Sequence, residues 1–314
     1  YALSDRTHLV AGGRISNDRR RASGFQPDIV VQPAVREDPV ALFTGVAPPS
    51  WSNNDSWDHV DWKLGVEFDA SEETLVYATA QTGFQPGTFD VFPDTVTEET
   101  ELLSFTVGAR SRLLGGRLVF NNEVFYYVYD NLLTQAFNAA TGSNFLTNAD
   151  TVIYGVQSDL AFAPASLDNT QFKFSLGYLH ARYEDFIEDS LDAFNDNQMQ
   201  NAPDWTATLG IVHDWQLAQG AFIRADLVSR YESGFWGDFS HSPGLYQASY
   251  TKTDIALTWH DGNNRWSAGL WVRNLENSDV QSAAATGNPV TDPGPGAPFL
   301  EAPRTYGVRV TLSL

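Results

Sequence analysis

The chain has 314 residues, of which 42% are hydrophobic and 13% aromatic, a composition that fits one large all-β unit or two ordinary domains. It has no cysteine, which excludes disulfide scaffolds, thiolate metal sites and cysteine nucleophiles. Its formal net charge of -20 argues against a nucleic-acid partner, because phosphate binding depends on Lys and Arg.

Apolar and polar side chains alternate strictly in segment after segment. Val60, Trp62 and Leu64, for example, alternate with Asp61 and Lys63. A period of two is typical of β-strands with one apolar and one polar face. In chain order the pattern predicts about twelve strands: Thr7–Ala22, Asp58–Asp69, Thr74–Phe84, Thr97–Leu113, Gly116–Phe137, Thr151–Ala163, Asn169–Tyr183, Asp204–Gln216, Gln219–Glu232, Ala248–His260, Asn264–Leu275 and Pro303–Leu314.

The predicted strands are long, and the connections between them alternate between short and long. Most strands reach the nine to eleven residues that a tilted strand needs to cross a bilayer. Leu114–Gly115 is one of the short connections, and Glu184–Pro203 is one of the long ones. Outer-membrane barrels have this asymmetry, with tight periplasmic turns and extended extracellular loops. Since no run of about 18 apolar residues occurs, we expect an antiparallel transmembrane β-barrel and no transmembrane helix.

Aromatic residues lie at both ends of the predicted strands, as expected for two membrane interfaces. One group lies beside the short turns, and the other lies near the opposite ends. The first comprises Trp215, Trp259 and Trp266, and the second Trp62, Trp205, Tyr231 and Tyr250.

Five segments, taken in chain order, resemble the β-barrel of TonB-dependent receptors. The first is Leu75–Asp90, a strand followed by a Gly-Phe-x-Pro-Gly loop. The others are a Gly-turn hairpin with a Phe- and Tyr-rich strand, the Asn-x-Pro entry at Asn201–Ile211, a penultimate strand ending in Asn274 and Leu275, and the last strand with Pro303, Arg304, Tyr306 and Gly307. The resemblance covers nearly the whole chain.

The resemblance implies an all-β fold in which residues 1–314 form one unit, the C-terminal portion of the receptor barrel. If the full barrel has about 22 strands, as large outer-membrane transporters do, the twelve strands here leave ten elsewhere. The family's N-terminal plug domain has no counterpart in this sequence. Because unpaired strand edges cannot stand in lipid, we expect the missing strands and plug on another chain or on the remainder of the same polypeptide.

In function, the resemblance implies an outer-membrane active transporter that imports a scarce nutrient with energy from the TonB complex, which acts through the plug. Ferric siderophores are the commonest family ligands, but cobalamin, heme and oligosaccharides stay open. The alternatives are a passive outer-membrane porin, a surface-binding barrel without transport, or a soluble lectin-like all-β protein. Expected partners are the nutrient ligand and outer-membrane lipid, with no nucleic acid.

The segment Glu232–Tyr246 is the best candidate ligand surface, because its aromatic side chains lie in a predicted outer loop where lipid cannot cover them. Packing against neighbouring loops is the alternative explanation. We list as candidate ligand-binding residues Phe235, Trp236, Phe239, His241, Phe84 and Gln85. Inward-facing Arg224, Arg230 and Arg309 are expected to pair with carboxylates or a plug rather than with the ligand.

No motif predicts catalysis, and we expect no enzyme activity, catalytic residue, metal site or cofactor. The six histidines show no metal-binding spacing, and no nucleophile elbow or phosphate-binding loop occurs. An acidic cluster lacks the spacing of an EF-hand and reads more readily as a solvated loop than as a Ca²⁺ site. Its members are Glu184, Asp185, Glu188, Asp189 and Asp192.

Overall fold

The structure is a computed structural model that describes residues 1–25, 50–90, 95–138, 143–186, 195–239, 241, 243–263, 265–285 and 297–313. Within these ranges the strands are β1 (Ala2–Ser4), β2 (Thr7–Phe25), β3 (Ser50–Ser71), β4 (Thr74–Gln85), β5 (Phe89–Asp90), β6 (Thr95–Val96), β7 (Thr100–Leu113), β8 (Leu118–Asn138), β9 (Ser143–Phe162), β10 (Thr170–Phe186), β11 (Trp205–Gln216), β12 (Phe222–Glu232), β13 (Phe235–Trp236), β14 (Tyr246–Gln247), β15 (Tyr250–His260), β16 (Trp266–Arg273), β17 (Gln281–Ala285), β18 (Ala297–Leu300) and β19 (Thr305–Leu312). Among the described residues, no helix is long and apolar enough to cross a membrane.

Thirteen strands form one antiparallel sheet in the order β1-β2-β3-β4-β7-β8-β9-β10-β11-β12-β15-β16-β19. Each strand therefore pairs with its neighbours in the chain, apart from three small hairpins that lie in the long connections. All twelve predicted strands are present, and β1 adds a thirteenth at the start of the chain. The predicted all-β antiparallel fold is confirmed. The two edges of the described sheet are β1 and β19.

Two strands begin earlier than the sequence pattern indicates. The structure starts β3 at Ser50 rather than Asp58, and β9 at Ser143 rather than Thr151. In this extra length, which is mostly Ser, Asn and Asp with Trp51 and Trp57, β3 pairs with β2 in unbroken register. Cross-strand backbone hydrogen bonds hold these mostly polar segments extended, so a strand forms there without alternation of apolar and polar side chains. The hairpins thus continue past the apolar segments.

One face of the sheet is apolar and open. Leu64 is 57% exposed, Leu257 46% and Val310 62%, and no second layer of the described structure covers this side. Side chains of this size are normally buried in a water-soluble protein. Their exposure in row after row fits a surface in contact with acyl chains, as the alternation predicts.

The buried apolar side chains of the described residues lie at one end of the sheet, beside the long connections. They are Trp57, Ala149, Ala181, Tyr183, Phe235, Phe239, Leu245 and Val280. A sandwich or a helix-covered sheet would instead bury the middle of its strands. The long connections therefore pack together at this end of the strands. Among the described residues, the middle of the sheet has no cluster of buried apolar side chains.

The aromatic belts are present on the apolar face. Trp215 and Trp266 beside the short turns are each 48% exposed, and Trp205 near the long connections is 46% exposed. Tyr250 is the exception among the predicted members. It lies opposite Glu232 in the register and donates a hydrogen bond to the carboxylate of that residue, so it belongs to the polar face. Placement at a strand end had suggested the belt, but the alternation decides the face.

On the polar face, aromatic rings lie flat over glycines of the neighbouring strand. The ring of Phe125 covers Gly155, where an added Cβ would stand 2.7 Å from a ring carbon. Tyr77 covers Gly108 in the same way, and Trp271 covers Gly307. Glycine is required at these positions because any side chain would displace the ring. The rings in turn shield the bare backbone of the glycines.

We predict that Gly155→Ala destabilises the barrel by about 1–3 kcal/mol, because the new methyl group would stand 2.2 Å from the backbone oxygen of Tyr178 on β10 and 2.7 Å from the Phe125 ring, so both must move away. The measurement is the thermal unfolding midpoint of the full protein in detergent micelles. Gly210→Ala is the matched control, since a Cβ there meets its nearest atom at 3.5 Å. Equal midpoints for both variants would contradict the packing described here.

Candidate functional site

Two of the long connections are bonded into one surface at the end of the sheet. The backbone N–H of Asn201 donates to the carbonyl of Trp236 at 2.8 Å, and the amide of Asn197 donates to the carbonyl of Phe239 at 3.1 Å. A ring nitrogen of His241 lies 2.9 Å from the carbonyl of Gln198. We call this surface, together with the start of the last connection that is bonded to it through Gln247, the loop platform, and define it by residues 195–204, 233–239, 241, 243–249 and 274–281.

The platform is fixed to β10 by an ion pair between Arg182 and Asp204. One guanidinium nitrogen of Arg182 lies 2.9 and 3.1 Å from the two carboxylate oxygens of Asp204. The amide of Gln198, which is buried, donates to the carbonyl of Ala202 at 2.8 Å and to the same carboxylate at 3.4 Å. Charge-assisted and partly buried pairs of this geometry are stronger than exposed ones. The connection between β10 and β11 is therefore held close to the sheet where it meets β11.

Three rings form a cluster on the platform. Trp236 stacks on His241 with ring centroids 4.5 Å apart and an interplanar angle of 9°. Tyr246 lies against the same indole at 4.8 Å, tilted by 53°, and is 47% exposed. Three apolar side chains of the same connection, Phe235, Phe239 and Leu245, are buried. The cluster combines accessible aromatic faces with an imidazole.

Asn274, at the end of β16, anchors the last connection. Its side chain is 1% exposed and donates to the carbonyls of Ser278 and Ala302 at 2.9 and 3.4 Å, while its carbonyl oxygen accepts from the N–H of Ser278 at 2.9 Å. Gln247 joins the two loops by donating to the carbonyl of Asp279 and accepting from the N–H of Gln281. The last connection is therefore part of the platform.

Glu276 fastens the same connection to β15. It accepts hydrogen bonds from the backbone N–H and the hydroxyl of Thr253, at 2.7 and 2.5 Å. Burial raises the pKa of the Glu276 carboxyl, but these hydrogen bonds and the charge of Arg304 outweigh it, so the pKa lies below its usual value. The carboxylate therefore stays ionised to a lower pH than an ordinary Glu side chain.

Two arginines of the polar face are paired with carboxylates of the same wall. Arg224 makes two hydrogen bonds to Asp214 at 2.8 and 2.7 Å, and Arg230 pairs with Glu232. Both pairings were expected from the sequence. Arg309 lines a recess of about 250 Å³ between β12 and β19. Arg224 and Arg230 are therefore engaged with carboxylates of the wall itself.

Phe84 and Gln85 lie elsewhere, on β4, six places along the sheet from β12. Phe84 stacks on His59 with centroids 4.6 Å apart and an angle of 7°. The two ring nitrogens of His59 face carboxylates, Asp61 at 3.4 Å and Glu101 at 3.6 Å. Gln85 is exposed. The described structure therefore divides the six candidate residues between two sites.

The sequence placed Phe235 and Phe239 in an exposed position, and this expectation is wrong. Phe235 is 6% exposed and Phe239 8%, because the connection folds back as the β13–β14 hairpin and packs both rings beneath it. Packing against the loops, the alternative kept open, accounts for these two. Trp236 and His241 are half-buried and remain accessible. Ligand binding by any of the six residues stays a prediction.

Sequence reasoning did not single out Tyr246, Gln247 or the buried bonds of Asn274. Tyr246 ends the segment chosen as the candidate surface, but its contact with Trp236 depends on the hairpin and leaves no local signal. Asn274 belonged to a recognised motif, and its positive φ of 54° explains why Asn stands there. The acidic cluster falls largely outside the described residues. Within the described ranges, no three His, Asp or Glu side chains gather closely enough to hold a metal ion.

A family model described as TonB dependent receptor-like, beta-barrel matches residues 1–275. The chain belongs to this TonB-dependent receptor family. The resemblance seen in the sequence is thereby confirmed. TonB-dependent receptor barrels are bacterial outer-membrane proteins, and this chain is one of them. The family is one of receptors, not of enzymes.

Solved structures of receptors share the fold at low sequence identity. The ferric yersiniabactin uptake receptor FyuA from Yersinia pestis is 15% identical with a TM-score of 0.79, and the match covers 99% of this chain and 43% of that one. The ferric-catecholate import receptor Fiu from Escherichia coli K12 is 16% identical with a TM-score of 0.71, covering 99% and 43%. The siderophore receptor PiuA from Acinetobacter baumannii is 16% identical with a TM-score of 0.70, covering 98% and 41%. The chain thus spans less than half the length of these receptors.

We predict that Asn274→Asp loosens the last connection of this TonB-dependent receptor barrel. The substitution removes the amide donors and sets a carboxylate against two carbonyl oxygens, at a cost of about 1–3 kcal/mol. Hydrogen exchange of residues 275–285 should accelerate. Asn277→Asp is the control, because Asn277 also has positive φ and its side-chain oxygen accepts from the N–H of Arg304, a bond that Asp can keep. Unchanged exchange in Asn274→Asp would refute the anchoring role.

Proposed function

We propose that this chain is the C-terminal barrel wall of an outer-membrane transporter that imports a ferric siderophore with energy from the TonB complex. The observation that carries the proposal is the joint arrangement of an apolar outer face, a polar inner face and one bonded loop platform at a single end. Membership of the receptor family supports energy-coupled import. The names of FyuA and Fiu, which describe ferric chelate uptake, favour iron as the cargo.

We further propose that other strands and a plug domain complete the transporter. β1 and β19 are the edges of the described sheet, and an unpaired edge in lipid costs several kcal/mol for each unsatisfied backbone group. Strands on the rest of the polypeptide, or on another chain, would pair with both. A recess of about 760 Å³ on the inner face, lined by Asp168, Asp214 and Arg224, offers polar contacts to a plug. TonB would act through that plug.

Trp236, His241 and Tyr246 are the proposed ligand contacts of the platform. Their rings are accessible, lie within stacking distance of one another and suit an aromatic or planar chelating group. We propose that the buried Phe235 and Phe239 stabilise the β13–β14 hairpin and do not contact the ligand. Phe84 and Gln85 are proposed as a separate contact region across the mouth.

Trp236→Ala should weaken ligand binding by about 1 kcal/mol, roughly fivefold in Kd, through loss of a stacking partner. Binding of ferric catecholate and other ferric chelates to the full receptor can be followed by fluorescence quenching or calorimetry. Trp266→Ala in the membrane belt by the short turns is the matched control and should leave the Kd unchanged. Phe239→Ala should also increase protease cleavage of the platform, which separates support from contact. Unchanged Kd in Trp236→Ala and His241→Ala would remove the platform assignment.

Uptake of ⁵⁵Fe chelates by iron-starved cells that depend on the full receptor tests the transport proposal. We expect saturable uptake that stops when the proton gradient is collapsed or TonB is deleted. Uptake that rises linearly with concentration and ignores the gradient would identify a passive porin instead. Tight binding without uptake would identify a surface receptor that does not transport.

A further inference from the structure

One hydrogen-bonded polar pair lies in the middle of the apolar outer face. The hydroxyl of Ser158 on β9 donates to the side-chain oxygen of Asn122, its cross-strand partner on β8, at 2.7 Å. Phe120 and Val124, which flank Asn122 on the same face, are 38% and 54% exposed. Val156, the neighbour of Ser158 on that face, is 40% exposed. The pair therefore faces the surroundings of the barrel and not its interior.

The height of the pair is that of the hydrocarbon core. Asn122 lies four residues above Leu118, where β8 begins after a short turn, and four residues below Tyr126. Tyr126 stacks on Tyr154 of β9 with ring centroids 6.2 Å apart, and exposed rings of this kind mark a membrane interface. A tilted strand rises about 2.5 Å per residue along the membrane normal. Asn122 is thus about 10 Å from both limits, near the centre of an apolar band about 25 Å tall.

Acyl chains offer this pair no hydrogen-bond partner. A carboxamide has two N–H donors and an oxygen that can accept twice. In the described part of the chain, the bond from Ser158 is the one that the Asn122 side chain makes. The N–H groups of the amide and a lone pair of the Ser158 hydroxyl are left for a partner outside the wall. Polar side chains in this layer are costly unless they are paired, so they mark contacts with other protein.

The rest of the receptor does not reach this pair. β8 and β9 are the sixth and seventh of the thirteen strands of the sheet. Strands that complete the barrel would pair with the edges β1 and β19, and a plug would fill the interior, so neither covers the outer face here. The described parts of the long connections lie at one end of the strands. The partner must therefore enter the membrane itself and offer an acceptor and a donor at the same depth.

We propose that this face binds a second copy of the same barrel across a two-fold axis parallel to the membrane normal. Such an axis keeps both copies upright at one height and brings β8 of each wall opposite β9 of the other. Asn122 then faces Ser158 of the second copy, so each amide donates to the other copy's hydroxyl and two equal hydrogen bonds form. Stacked sheets lie about 10 Å apart, a gap that an Asn and a Ser side chain can span together. The apolar side chains around the pair exclude lipid from the bonds.

Cross-linking of the full receptor in outer membranes tests the contact. The chain has no cysteine, so Val124→Cys places a single thiol in this wall. With any cysteine of the remaining polypeptide replaced by Ser, a short bismaleimide should join two copies of this variant. Leu257→Cys is the matched control, because Leu257 is also exposed on the outer face but lies on β15, and it should give no dimer. Equal dimer yields from the two variants would overturn the proposal, and so would a product that joins the receptor to a different protein.

Apolar substitutions test the polar pair itself. Asn122→Leu with Ser158→Ala removes both bonds but suits lipid, so this double variant should fold, as heat-dependent electrophoretic mobility verifies. Its dimer dissociation constant in liposomes, measured by energy transfer between labelled copies, should rise about tenfold. Ser229→Ala is the control, because Ser229 is bonded to Thr253 on the same outer face at 2.9 Å but nearer the long connections, and it should leave the constant unchanged. An unchanged constant in the double variant, or an equal rise in the control, would contradict the proposal.

Discussion

A membrane interior offers no water to backbone amides, and the rest of this structure depends on that constraint. Each central strand satisfies its N–H and C=O groups with two neighbours, which forces a continuous antiparallel ladder. Once the ladder is set, the alternation of side chains is fixed, and a slip of one residue would turn every apolar side chain inward. The apolar outer rows, the polar inner face and the positions of the belts are all consequences of one register.

The long connections are stabilised differently from the barrel wall. They stand in water, so they can bury apolar side chains, and the described core lies there. Buried polar groups such as Asn274 and Gln247 are hydrogen-bonded to the backbone of other segments, which fixes the loops relative to one another. A surface built in this way is organised before any ligand arrives, which lowers the conformational entropy lost on binding. The barrel wall serves as the base on which this order rests.

Much of the fold could be predicted from the sequence because alternation is a local property. The two-residue alternation gives the number of strands, the order of short and long connections and the apolar side chains that face outward. The early starts of β3 and β9 could not be predicted, because their polar segments are held by cross-strand pairing that leaves no periodic trace. The burial of Phe235 and the inward direction of Tyr250 likewise depend on partners distant in the chain. The sequence therefore predicted a candidate surface on a loop, but not which of its side chains are buried and which are accessible.

At Gly108, Gly155 and Gly307 the inner wall carries one aromatic ring for each cross-strand pair in place of two side chains. Ridges formed by upright side chains would interlock with anything filling the bore, and such contacts must break together when it moves. Single rings would interlock less, because a neighbouring domain could shift along their faces and keep dispersion contact. A domain lodged against this wall would meet little steric resistance there to displacement along the barrel axis.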